Sequence, residues 1–245
     1  MINNLKQQFG LLKIKKAFWE EFNFLKKSDK IKGERLSLDK ENIMPCYWDK
    51  TINTDFDHHY VLHTAWASRK VVQIAPKKHI DIASSLYFCT SISSFVPVEF
   101  YDYRLAVIDL PNLKTEKGDL CNLHFESNSI ESLSCMHTVE HIGLGRYGDP
   151  LDYDGDLKAI SELKRVVKKD GHLLFVVPVG KPKIVFNAHR IYAFEQILKY
   201  FEGFDIIEFS LITDDDKGGQ LIANASPDLV AEQEYGCGCF LLKKK

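Results

Sequence analysis

Residues 172–179 read HLLFVVPV, a near-continuous apolar run. A strand with one wet face alternates apolar and polar side chains, whereas an unbroken run suits a strand covered on both faces, as in a parallel sheet between helix layers. The run closes a longer phrase that begins at Gly118. An acidic turn leads into the buried strand SIESLSCMH (129–137), a His-rich loop and a helix over 157–169. That helix carries Leu157, Ile160, Leu163, Val166 and Val167 on one face. Asp156 is placed as its N-cap, and Asp170-Gly171 as its left-handed close.

The segments before and after extend the same alternation. Apolar positions from His58 to Ile74 predict a helix ended by Pro76. HIDIASSLYF (79–88) begins as a short buried strand and turns at Ala83-Ser84-Ser85; a helix or loop follows to residue 95. VPVEFYDYRL (96–105) is a second strand, and Leu105–Leu113 leads toward Asp119. After the apolar run come a helix over 193–201, the strand DIIEFSLIT (205–213), a polar stretch over 214–236 and a last strand, GCGCFLLKK. Strands alternating with helices imply a doubly wound, mostly parallel α/β sheet. The last two strands lack an intervening helix and are expected to pair antiparallel.

Residues 1–56 stand apart. Residues 1–33 hold eight lysines against three acids, with Leu5, Phe9, Leu12, Phe18, Phe22 and Leu25 at helical spacing. This predicts a basic amphipathic helix or helix pair, which packs with its lysines outward or meets an anionic membrane surface or a partner. Residues 34–56 read as a connector, so the expected organisation is an extension over 1–56 and a domain over 57–245.

A net charge of −2 gives no electrostatic case for a nucleic-acid partner. No apolar segment is long enough to span a membrane, and the N-terminus does not read as a secretory signal; a cytoplasmic location is the expectation. The six cysteines fall mostly in apolar runs and read as reduced, buried thiols. Cys237 and Cys239 form C-x-C without a second pair at zinc-finger spacing.

HIDIASS, SIESLSCMHTVEHIGLGRYGDPLDYDGDLKAISELKRV, VVPVGKPKIVFNAHRIY and YGCGCF resemble domain-of-unknown-function family two-six-eight. More broadly, residues 58–245 resemble class I S-adenosylmethionine-dependent methyltransferases. The resemblance implies a Rossmann-like, mostly parallel seven-stranded sheet and a cofactor, S-adenosylmethionine. In such enzymes an acid and a Gly-rich turn after the first strand receive the methionine end. Here that place reads Asp81-Ile82-Ala83-Ser84-Ser85, with no glycine. Asp102, after the second strand, takes the ribose position, and Asp119-Leu120, in GDLCNLHF, the adenine position. His137 closes the set of implied cofactor-binding residues.

His137-Thr138-Val139-Glu140-His141 also spells H-x-x-E-H, the inverted zinc-peptidase motif, whose chemistry needs both histidines on one helical face. Here the motif directly follows a strand, so no metal ligand is assigned and His141 is taken as a metal-free site residue. The loop GLGRYGDPLDYDGD (143–156) lacks calcium-loop spacing. It reads either as a solvated turn with a helix cap or as a rim where Arg146 and Tyr147 bind a polar substrate. Asn187-Ala188-His189-Arg190 falls at the same rim, where His189 is placed to take a proton or, with Arg190, to tie the loop.

The expected function is methyl transfer to a small polar acceptor such as a sugar or surface-glycan precursor, with His141, Arg146, Tyr147, His189 and Arg190 on the acceptor side. A non-catalytic scaffold and, behind it, a zinc hydrolase are the alternatives. An open cleft beside Ser84, Asp102 and Asp119 is required for the cofactor; Tyr87 or Phe88 filling that cleft would favour the scaffold.

Overall fold

The computed structural model describes residues 2–32 and 36–245, with side chains omitted for 2–9 and 32. It divides into two units, 1–56 and 57–245. In the first unit, helix α1 (Ile2–Lys32) is continuous, and the connector returns to it through Phe18 against Tyr47 and Lys50 against Glu21. The side chains of Leu5 and Phe9 lie outside the described set. Leu12 and Leu25 are exposed. Among the described residues no helix is long and apolar enough to cross a membrane.

The second unit opens with α2 (His58–Ile74), whose first turn is capped by the Asp57 carboxylate accepting from the Tyr60 N–H. It continues through β1 (His79–Ile82), α3 (Leu86–Ile92), β2 (Val98–Asp102), β3 (Leu113–Lys117) and β4 (Ile130–Met136). Next come α4 (Gly155–Val166), β5 (Val167–Val179), and β6 (Lys183–Val185) paired with β7 (His189–Ile191). The chain ends with α5 (Phe194–Tyr200), β8 (Phe204–Ile212), β9 (Leu221–Ala223), α6 (Pro227–Ala231) and β10 (Gly236–Lys244).

The main sheet has eight strands in the order β3-β2-β1-β4-β5-β10-β8-β9. From β3 to β5 all pairs are parallel, while β10 runs antiparallel to both β5 and β8. The eighth strand is the three-residue edge β9, which extends the expected seven. Strand β3, LKTEK, has a mostly polar sequence, as suits an outer strand; that polarity conceals it in the sequence.

β5 is buried on both faces. Leu173, Phe175, Val177 and Val179 belong to one core cluster and Leu174 and Val176 to the other, the alternation that strand geometry requires. The helix before it ends at Val166, three residues earlier than expected, and β5 begins at once. Asp170-Gly171 is therefore not a helix cap. Asp170 adopts φ 61 within the strand, and a Cβ on Gly171 would meet Lys168 O at 2.8 Å and Ile130 O at 2.9 Å. Glycine is needed there because neighbouring backbone passes close. The helix N-cap is Asp154 rather than Asp156.

Helix α2 is fixed to β8 by a half-buried polar knot. Glu208 accepts from Lys70 Nζ at 2.5 Å and from Trp66 Nε1 at 2.9 Å. Lys70 is buried, so removing its partner leaves a desolvated charge. Glu208→Ala is expected to lower unfolding free energy by about 2–4 kcal/mol. Lys70→Met with Glu208→Gln, which keeps an acceptor for Trp66, should recover most of that loss. Urea unfolding of the three proteins measures both effects; equal stability of wild type and Glu208→Ala would contradict the assignment.

Candidate functional site

At the carboxyl ends of β1, β2, β3 and β4 lies a cleft of about 710 Å³, the place where open α/β sheets bind ligands. Its walls come from the turn after β1 (Ala83, Ser84, Ser85), the residues after β2 (Asp102 to Ala106) and those after β3 (Gly118 to Cys121). The β4 end, the 141–155 loop and Tyr60 of α2 complete it. Phe88 is buried in the core beneath α3, and Tyr87 is exposed at the rim. Neither fills the cleft.

The first turn achieves its shape without glycine. Ala83 takes the left-handed conformation, φ 54, which costs an L-residue about 1–2 kcal/mol. Three links hold it there: Ala83 N–H donates to Tyr101 O at 2.8 Å, the Thr138 hydroxyl donates to Ala83 O at 2.8 Å, and Met136 N–H donates to Ser84 Oγ at 3.0 Å. Ser84 Oγ accepts in that last bond, and its hydroxyl also bonds the Asp81 carboxylate, so Ser84 ties the turn to both β4 and β1.

Beneath the turn runs a buried polar relay. Asp81 Oδ1 accepts from Ser84 N–H at 3.0 Å, and Oδ2 accepts a short hydrogen bond from the Ser134 hydroxyl. His79 Nε2 donates to Ser134 Oγ at 2.8 Å and its Nδ1 accepts from the Ser132 hydroxyl at 2.7 Å. The order of donors follows from Asp81 being an acceptor at one end. Burial raises the Asp81 carboxyl to about 6 and lowers His79 to about 3, so the imidazole is neutral. Asp81 is wholly buried and does not line the cleft; it shapes the turn from below.

Asp102 and Asp119 each use Oδ1 to accept a backbone N–H two residues on, from Arg104 and Cys121 at 2.8 Å. Both line the cleft with Oδ2 left for a ligand's hydroxyl or amino group. Leu120 is buried at the same wall.

On the opposite side, His137 sits at the end of β4 with φ 52. Its Nδ1–H donates to Glu140 Oε1 at 2.9 Å. Burial lowers His137 to about 4 and raises Glu140 to about 7. His141 ends a 3-10 turn, Val139–His141, and its Nδ1 lies 2.6 Å from Ala188 O. A carbonyl only accepts, so Nδ1 carries the proton and Nε2 holds a lone pair. The two histidines of H-x-x-E-H therefore do not share a helical face.

Tyr147 lies between two guanidinium groups, Arg104 at 4.6 Å and Arg146 at 5.1 Å from its ring centroid. The acids of the 143–156 loop are largely used within the protein. Asp149 accepts from the N–H groups of Gly143 and Tyr147, Asp152 binds Lys158, and Asp156 accepts from the Tyr192 hydroxyl.

Ala83, Ser84, Ser85, Asp102, Asp119, Leu120, His137, His141 and Tyr147 thus meet around one cleft. Arg146, His189 and Arg190 do not line it. Arg146 donates to Ala188 O. Arg190 is buried and donates to Ile142 O and Tyr153 O, fastening the 141–155 loop. His189 packs its ring on Tyr235. Sequence reasoning missed Tyr60, Tyr101, Arg104 and Thr138 as lining residues. Tyr60 comes from a helix with no motif, and Thr138 was hidden inside one.

The family profile described as "Caenorhabditis protein of unknown function, DUF268" matches residues 99–225, just over half of the chain. The chain belongs to the DUF268 family. An uncharacterized protein of Methanocaldococcus jannaschii is 28% identical over 116 residues, 44% of this chain and 46% of that protein; the DUF268 chain thus spans under half of that relative's length. Among solved structures, the N-methyltransferase NodS of Bradyrhizobium japonicum, in complex with S-adenosylhomocysteine, superposes with a TM-score of 0.52 at 11% identity, covering 78% of this chain and 89% of NodS. The Burkholderia thailandensis 1,6-didemethyltoxoflavin-N1-methyltransferase, with S-adenosylhomocysteine bound, gives 0.51 at 10% identity over 75% and 78% of the chains. The YcgJ protein of Bacillus subtilis gives 0.50 at 14% identity over 75% and 97%. This DUF268 member has the class I methyltransferase-like, Rossmann-like fold.

The Asp81 relay makes a pH prediction. Its carboxyl is raised by folding from 3.8 to about 6, so between those values the folded state holds a proton that the unfolded state does not. Its contribution to stability therefore grows as pH falls through this window and is absent above it. Asn at this position does not titrate; it keeps the Ser84 N–H bond and reverses the donors at Ser134, His79 and Ser132. The stability difference, wild type minus Asp81→Asn, is expected to move toward wild type by about 1–3 kcal/mol between pH 7.5 and pH 4.5. Urea titrations at both pH values measure it; a pH-independent difference would place the Asp81 pKa at its ordinary value.

Proposed function

We propose that this protein transfers a methyl group from S-adenosylmethionine to a small polar acceptor, such as a sugar or a surface-glycan precursor. The observation that carries the reading is the open cleft of about 710 Å³ with Ser84, Asp102 and Asp119 on successive strand ends. The volume lies within the range of small-molecule sites, roughly 300–1,000 Å³. The methyltransferases of like fold that hold S-adenosylhomocysteine support it.

The residues present fit this cofactor. The turn Ala83-Ser84-Ser85 lines the place of the methionine end, Asp102 has a carboxylate oxygen for ribose hydroxyls, and Asp119 has one for the adenine amino group. When bound, S-adenosylmethionine supplies a sulfonium-activated methyl. The protein's task is then mainly alignment of the acceptor atom with that methyl and its leaving sulfur. His141 lines the same cleft, and its unprotonated Nε2 can take the proton released by an acceptor hydroxyl. Tyr60 and Tyr147 form apolar, hydrogen-bonding walls beside it, suited to a sugar-sized polyol.

Calorimetry with S-adenosylmethionine and S-adenosylhomocysteine tests the reading. Both are expected to bind, and Asp102→Ala is expected to weaken them about tenfold or more through loss of charge-assisted hydrogen bonds. No binding of either at millimolar concentration would sink the methyltransferase reading and favour a non-catalytic scaffold.

A further inference from the structure

Beside the acceptor end of the cleft, three donors from distant parts of the chain converge. His59 comes from the first turn of α2, His137 from the end of β4 and Cys237 from β10. One ligand atom from each lies within 4.8 Å of the other two, and all three residues are buried. We propose that His59, His137 and Cys237 form a binding site for a divalent transition-metal ion, with zinc as its preferred occupant.

The spacing supports this. Zinc binds imidazole nitrogen at about 2.0 Å and thiolate sulfur at about 2.3 Å, so the N···S edge of a tetrahedral site is about 3.5 Å. Cys237 Sγ and His137 Nε2 stand 3.3 Å apart, already at that edge. His59 need close only the remainder by side-chain rotation. A thiolate with two imidazoles is a donor set that favours zinc over oxygen-seeking cations such as magnesium or calcium.

The surroundings are those of a metal site. His137 Nδ1–H donates to Glu140 Oε1, leaving Nε2 as a lone pair facing the sulfur. This carboxylate–histidine arrangement orients ligating imidazoles. Among the described residues, two buried side-chain atoms have no hydrogen-bond partner: His63 Nε2 and Glu140 Oε2. Both belong to residues that touch His137. The His63 ring lies edge-on to His137 at 4.9 Å, and its Nδ1–H is committed to His59 O at 2.6 Å. Such orphans are rare in native interiors. A cation nearby would offset the charge of the Glu140 carboxylate.

The site takes one histidine of H-x-x-E-H, His137, and not the other, His141. Metal binding there does not require S-adenosylmethionine, although His137 also lines the cleft. Three protein ligands leave a fourth position for water or another oxygen ligand. Binding displaces the Cys237 thiol proton to solvent.

The whole 245-residue chain, freed of metal with a chelator and then given zinc chloride, is expected to retain about one equivalent through gel filtration. Cobalt(II) in its place should give a thiolate-to-metal charge-transfer band and tetrahedral d–d absorption. His59→Ala and Cys237→Ala should each weaken zinc at least tenfold, while Cys239→Ala should leave it unchanged. Should Cys237→Ala fail to fold, as judged by circular dichroism, His59→Gln on the first turn of α2 carries the test. Failure of the wild type to retain zinc, cobalt binding without a thiolate band, or full zinc affinity in a folded His59 variant would each overturn the proposal. A cluster held only by the Cys237–His137 hydrogen bond gives the first of these results.

Discussion

The buried Asp81 carboxylate is the constraint on which the cleft depends. Through Ser134 it joins β1 to β4, and through Ser84 N–H it dictates where the chain leaves β1. A carboxylate placed there without donors would be prohibitively desolvated; with them it becomes a template for the turn. Thr138 and Met136 then strap the same turn from the β4 side. The first turn, the relay and the β4 exit behave as one unit, and the cleft opens at their junction.

That arrangement explains how the fold tolerates the missing glycines. Glycine permits a left-handed turn by lowering the backbone cost. Here Ala83 adopts the conformation anyway, because three hydrogen bonds over-determine its position. The cleft floor is consequently built from side-chain hydroxyls as well as backbone, and its polarity comes from serine and threonine rather than from bare amides. Loss of the glycine signature changes how the turn is held without filling the space above it.

Much of this was legible in the residues. The HLLFVVPV run announced a strand buried on both faces because alternate residues enter two cores, and Asp102 and Asp119 stood at strand ends that the sheet brings together. What escaped notice did so for physical reasons. LKTEK forms an outer strand whose polar side chains carry no burial signal. Asp170-Gly171 has the composition of a helix cap, yet close backbone contact inside a sheet demands the same residues. Asp81 was readable as an acid at a strand end, but only its partners reveal that both oxygens face inward. Arg190 follows the same logic: its rim position in sequence allowed either substrate contact or tying the loop, and the five carbonyl and carboxylate groups around it make it a loop fastener.

His137 shows why the acceptor side could not be read from one motif. Its neighbours in sequence, Glu140 and His141, suggested a metal pair that a 3-10 turn cannot present on one face. Its neighbours in space come from α2 and β10, separated from it by most of the domain. Their meeting depends on α2 lying across the sheet, where Lys70, Trp66 and Glu208 hold it to β8. The same helix delivers Tyr60 to the cleft, with its ring stacked on His137 at 5.4 Å. Any group that fixes His59 to His137 therefore also fixes the aromatic wall against which an acceptor would rest. The packing of α2 thereby couples the His-Cys cluster to the shape of the cleft, with no contact needed between a bound ion and a bound ligand.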